Sequence, residues 1–268
     1  MSPLARLPSA LVLVALALLV TAAASQGLEG DELVQLCTGA LVIELWLAVV
    51  ALASALLAAP RPLASLGLGA GRLSTGSVLL LALGTLAASH ALDGLLDLSG
   101  LSDQSVLGEM PRLLEGVRGS RLALALLALG VAPAIGEELL CRGLVQRGLT
   151  RRFGAGVGLP AAALLFGALH VEPIHAAFAT ILGLYLGLVA HWSGGIRAAI
   201  LCHGLNNLAA VLLAAGIGDA PWASGTSVVA GSAVALGCLW EVRRRLPPGR
   251  EPGIGPRDLQ PSPHSSDR

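Results

Sequence analysis

Residues 34–59, VQLCTGALVIELWLAVVALASALLAA, hold a single charged residue, Glu44. About 20 apolar residues in a helix cross the ~30 Å of hydrocarbon in a bilayer. This stretch is longer than that, and Leu and Ala run through it without the alternation of a barrel strand. It therefore reads as a membrane helix. Working outward, seven further apolar stretches follow the same pattern: 8–25, 75–97, 121–141, 156–172, 174–192, 197–215 and 224–240. The expectation is an all-α, polytopic membrane protein of about eight transmembrane helices. Residues 1–119 would be N-terminal helices and an outer loop, 120–215 a core, 216–246 a last helix. The Pro/Ser/Gly-rich segment 247–268 reads as a disordered tail. The polar stretch 99–119 reads as a loop with a short surface helix.

Composition agrees. The 268 residues are 54% hydrophobic and 13% charged, where soluble domains carry about 25% charged residues. Mean hydropathy is +0.77. These values exclude a water-soluble enzyme and a disordered chain. Seventeen basic residues balance seventeen acidic ones, which argues against a nucleic-acid partner. Every basic residue is Arg, a codon signature of a GC-rich bacterial genome. Cys37, Cys141, Cys202 and Cys238 each sit in an apolar run with no CxxC pair, so they read as small buried hydrophobes. Arg6, the apolar run after it and Thr21–Ser25 resemble a signal peptide, but an uncleaved helix is the expected form.

Loop charges orient the helices. An N-terminus inside puts Arg6, Arg61, Arg72, Arg147, Arg151, Arg152, Arg197 and Arg243–Arg245 on the cytoplasmic side, as the positive-inside rule requires. Glu29, Asp31, Glu32, Glu172, Asp219 and the 99–119 loop fall outside. Both termini are then cytoplasmic, in a bacterial inner membrane. Trp192, Trp222 and Trp240 lie at helix ends, where indoles favour the interface. Gly183 and Gly187 permit close helix approach.

A charge at mid-bilayer costs about 2.5–3.5 kcal/mol on insertion scales, so polar residues inside the spans carry information. They concentrate between 137 and 207. Glu138 and Arg142 are spaced i,i+4 and pair along one helix face; Glu137 points about 100° away. His170 ends an apolar span. His203 and Asn207 share a face, with Asn206 beside them. If the fourth and fifth spans form a hairpin turning at Arg152–Gly154, Glu137 and His170 both lie about 22–24 Å from the turn and meet at one level. His203, six residues beyond Arg197, falls lower by the same arithmetic unless its helix starts deeper. Glu44, His90, Asp93, Asp97 and His191 read as interfacial or packed groups. Glu172 and His175, flanking Pro173, read as entrance residues.

The ordered set Glu137-Glu138-x-x-x-Arg142, Phe166-x-x-x-His170 and His203-x-x-x-Asn207, on successive membrane helices, resembles the CPBP family. These are the CAAX-protease and bacteriocin-processing (Abi) intramembrane endopeptidases. The resemblance covers roughly residues 120–215, including Ile181–Leu188; Cys141 is a minor departure. It implies hydrolysis of a membrane-anchored peptide or protein within the bilayer, possible products being trimmed C-terminal or sorting segments. Glu137 and His170 would activate water, His203 and Asn207 would hold the oxyanion, and Glu138, Arg142 and Asn206 would support the site. No HExxH is present, and a metal-free glutamate mechanism is favoured. Were zinc bound, its ligands would be Glu137, His170 and His203. Two competing readings are a non-catalytic immunity or scaffold protein of the same fold and a proton-coupled transporter. The second would call for inverted repeats, and none is seen.

Overall fold

Asp31 starts the first helix. Its carboxylate accepts a hydrogen bond from the Leu33 amide at 3.0 Å, and Glu32 in the first turn suits the helix dipole. This helix, α1, runs Glu32–Ala58 and stops before Pro60 and Pro62. The computed structural model describes residues 31–218 and 225–247. Within them follow a single turn α2 (Pro62–Ser65), α3 (Thr75–Leu98), α4 (Val106–Leu114), a long α5 (Gly119–Phe153), α6 (Ala155–Ala168), α7 (Pro173–Ser193), α8 (Arg197–Ala214) and α9 (Gly225–Arg245). No strand occurs among the described residues. The short α4 confirms a surface helix in the polar 99–119 stretch.

Six of these helices are long and apolar enough to cross a membrane: α1, α3, α5, α7, α8 and α9. They match six of the eight expected spans. The expected span 8–25 lies outside the described residues, as do Arg6, Glu29, Asp219, Trp222 and most of the 247–268 tail. The expected span 156–172 is a helix of only 14 residues, α6, about 21 Å long. It stops at Ala168, and the chain turns into α7 at Pro173. The turn is forced locally: Val171 has φ +60°, and Glu172 caps α7, accepting from the Ile174 and His175 amides at 2.6 and 2.9 Å. Pro173 is the first residue of α7, where its missing N–H costs nothing.

The expected hairpin at Arg152–Gly154 is present. Gly154, at φ +79°, separates α5 from α6. A Cβ on Gly158 would sit 2.6 Å from the Thr150 amide nitrogen, so glycine there lets the two arms close.

Packing is carried by small residues and a few large anchors. Leu81, Leu186, Val189, Cys202 and Val242 join α3, α7, α8 and α9 in one core. Leu47, Val50, Leu139, Leu140 and Ile196 join α1, α5 and the start of α8 in another. All four cysteines are buried and unpaired. The 59–74 segment folds beneath the start of α8: the Ile196 amide donates to the Gly67 carbonyl at 3.0 Å, and the Arg72 amide to Ser193 at 2.9 Å.

Helix ends therefore sort into two sets. One holds Arg61, Arg72, Arg147, Arg151, Arg152 and Arg197, with the end of α9 at Arg243–Arg245. The other is mixed in charge. There Arg121 meets Asp31 at 2.6 Å, and Arg118 donates to the Ala215 carbonyl.

Candidate active site

The site begins in α5, which is not a uniform α-helix. It widens to π-helical geometry over Leu126–Val131 and again over Glu138–Gln146. Pro133 lacks an N–H and crowds the preceding turn, and a wide turn just before it accommodates that. The second widened stretch carries Glu138, Arg142 and Gln146 inward, all of them buried.

Glu138 and Arg142 pair at 2.7 Å, 0% and 1% exposed. The i,i+4 expectation holds. The guanidinium also donates to the Gly183 carbonyl at 2.9 Å and lies 4.1 Å over the Phe166 ring. A buried cation is tolerable only when its donors are met in this way. Gly183 makes this possible: a Cβ there would stand 2.8 Å from the Phe166 ring. One turn on, Gln146 donates to the Gly187 carbonyl at 2.9 Å. The two glycines thus bring α7 close enough for its backbone to serve as acceptor.

His203 joins the pair. Its Nδ1 lies 3.0 Å from Glu138 Oε1, and a carboxylate only accepts, so Nδ1 carries the proton and donates. Nε2 then points to Glu137 Oε2, 3.7 Å away. His170 repeats the arrangement. Its Nδ1 is 3.0 Å from the Phe166 carbonyl and so donates; its Nε2 is 3.9 Å from Glu137 Oε1. Both rings are held edge-on by Phe166, at 5.1 and 5.9 Å between centroids. The result is a carboxylate on α5 with two imidazole Nε2 atoms 3.7 and 3.9 Å from its oxygens, one on α8 and one in the turn after α6. Glu137 Oε2 is buried and has no hydrogen-bond partner.

His203 reaches this level because α8 starts inside the protein, not at its edge. Ile196 is 1% exposed and is tied to Gly67. That resolves the low placement of His203 reached by counting residues. Asn206 is buried and donates to Asn207 Oδ1 at 3.4 Å, a weak bond. Among the described residues no hydrogen bond joins Asn207 to His203 or Glu137.

Spacing alone missed three contributors. Gln146 is one. Phe166, already in the second motif, serves as the common wall. Glu44 is the third: of the interfacial and packed readings it takes the packed one, buried against α5. A Cβ on Gly136 would sit 2.5 Å from Glu44 Oε2 and 2.6 Å from its carbonyl oxygen. Glu44 Oε2 is also buried without a partner. The only hint in sequence was a lone carboxylate in a long apolar run.

The start of α4 is tied to the α6–α7 turn beside the site. Ser105 Oγ donates to Glu172 Oε2 at 2.7 Å, and His175 stacks edge-on against His170 at 4.3 Å. Both expected entrance residues are therefore beside the site. Burial pushes the Glu172 carboxyl up, but hydrogen bonds from Ser105 and from the Ile174 and His175 amides, with the His175 charge, outweigh it and hold the group below its ordinary value.

Glu137, His170 and His203 have the right chemistry for zinc. However, among the described residues no group of three or more His, Cys, Asp or Glu is placed to hold a metal ion.

Residues 119–209 match the family model of the type II CAAX prenyl endopeptidase, Rce1-like. The match agrees with the CPBP resemblance and points to a protease of the CAAX type. The Rce1-like segment takes in all three motifs and the two glycines that meet Arg142 and Gln146. It leaves Glu44 outside. No curated protein and no solved structure matches the chain.

Proposed function

We propose that this chain is an intramembrane endopeptidase that hydrolyses a membrane-anchored peptide or protein using water activated by Glu137 and His170. The observation that carries this reading is the approach of Glu137 on α5, His203 on α8 and His170 in the turn after α6, with each Nδ1 already occupied. Separations of 3.7 and 3.9 Å are too long for direct hydrogen bonds. A water set off the line between these atoms reaches the carboxylate and an imidazole together.

The residues divide the chemistry as follows. Glu137 takes a proton as the water oxygen attacks the scissile carbonyl, and a C–O bond forms. His170 holds the water in line. The negative charge on the former carbonyl oxygen needs donors in a dry setting. His203 supplies one when Nε2 as well as Nδ1 carries a proton. Asn207 supplies the other through its amide. Collapse breaks the C–N bond, and the proton on Glu137 passes to the leaving amine. Glu138 and Arg142 position His203, and Asn206 positions Asn207. No step is assigned to a metal. The Arg-rich helix ends face the cytoplasm of a bacterial inner membrane, with both termini on that side. A C-terminal or sorting segment of a membrane protein is the substrate class.

The test is a comparison of membranes carrying wild type, Glu137→Ala or His170→Ala, scored for processing of tagged membrane proteins of the host. The account expects the same fragments to vanish in both variants. Unchanged processing in both would overturn it. A chelator arm addresses zinc: loss of activity that zinc restores would replace the metal-free mechanism.

A further inference from the structure

A second concave site lies at the Arg-rich ends of the helices, on the far side of Arg142 from Glu138. It is a cavity of about 250 Å³ between the last turns of α5 and α7 and the Gly194–Ile196 link into α8. Its charged lining is Arg142, Arg147 and Arg151, with His191 beside them and no carboxylate.

The three arginines are not equivalent. Arg142 is committed to Glu138 and Gly183. Arg147 donates to the Ser65 and Gly194 carbonyls, at 3.0 and 3.3 Å, and so ties the 59–74 segment to the wall. Arg151 has no hydrogen bond or ion pair with any described residue. A half-open pocket thus presents net positive charge and an uncommitted guanidinium, a donor fork that matches phosphate oxygens.

Position selects the source of the phosphate. The pocket sits where the membrane helices end. The adjoining α5–α6 turn exposes Phe153 and Val157, 52% and 54% accessible, beside Arg151. Basic pockets between helices at this level suit lipid headgroups, and exposed apolar groups next to them suit the glycerol and acyl chains. We infer that the Arg142–Arg147–Arg151 pocket binds the phosphate of an anionic phospholipid, with Arg151 as the residue that contacts it.

The full chain would be reconstituted in vesicles of phosphatidylcholine alone, or with phosphatidylglycerol added, and bound lipid read by native mass spectrometry alongside thermal stability. Phosphatidylglycerol should be retained over phosphatidylcholine and should raise the melting temperature. Arg151→Gln should weaken retention about tenfold, the loss of one charge-assisted contact. Arg152→Gln removes the same charge one residue away, outside the pocket, and should leave retention unchanged. Equal loss in both variants would reduce the effect to surface charge and overturn the site. So would unchanged retention in Arg151→Gln. A third arm adds inorganic phosphate to phosphatidylcholine vesicles; the full stabilisation there would overturn the lipid as occupant.

Discussion

Arg142 shows how a charge survives at this depth. Its guanidinium meets Glu138, the Gly183 carbonyl and the Phe166 ring. Arg142→Leu would leave Glu138 buried with only His203 opposite. The expected cost is about 3–5 kcal/mol, the usual penalty for breaking a buried pair, read as lost thermal stability in detergent. Activity should fall with it, because His203 loses its anchor. Asn207→Ala belongs at the same scale but has a different signature: folding unchanged and turnover lowered by about 10²–10³, the typical loss for one oxyanion donor. The Glu138–Arg142 pair was legible because helix period alone places i and i+4 together. Glu44 and Gln146 were not. Gly136, against which Glu44 packs, and the Gly187 carbonyl lie on other helices, and nothing local marks a backbone carbonyl as an acceptor for a distant side chain.

Between elements, glycine decides how closely helices pass. Gly136→Ala would drive a methyl group to 2.6 Å from the Glu44 carbonyl oxygen and 3.1 Å from its Cα. Backbone cannot swing aside, so α1 and α5 must part. Overpacking of this kind costs about 1–3 kcal/mol. Calorimetry on the variant should show it, and adding Glu44→Ala should not rescue it, since the clash is with main chain. The seat of α4 against the α6–α7 turn depends on Glu172. A carboxyl held below its ordinary value contributes above its unfolded pKa and loses that contribution as pH falls through the folded one. Hydrogen exchange in 105–114 should therefore rise on acidification below the ordinary carboxylate range, and Glu172→Gln should remove that pH dependence. The shortness of α6 was not legible. Residues 156–172 are apolar enough to span, and the break comes from Val171 and the Glu172–Pro173 cap, which composition does not weigh.

For the whole molecule, composition settled the solvent, and hydropathy located every long helix in the described residues. At 156–172 it overcounted, because apolarity alone does not report where a helix stops. Charge sorting was legible too. The expected cytoplasmic arginines do gather at one set of helix ends, which supports a shared side for them. A reporter fused after residue 268 should read cytoplasmic, and an external reading would refute that orientation. The central claim is that Glu137 activates the attacking water. Its most direct test is the first-order rate of substrate cleavage by the purified, reconstituted chain, wild type against Glu137→Gln, with melting temperatures matched. The account predicts a rate lower by about 10²–10⁴ in the variant, the usual worth of a general base. Cleavage by Glu137→Gln at the wild-type rate would contradict it.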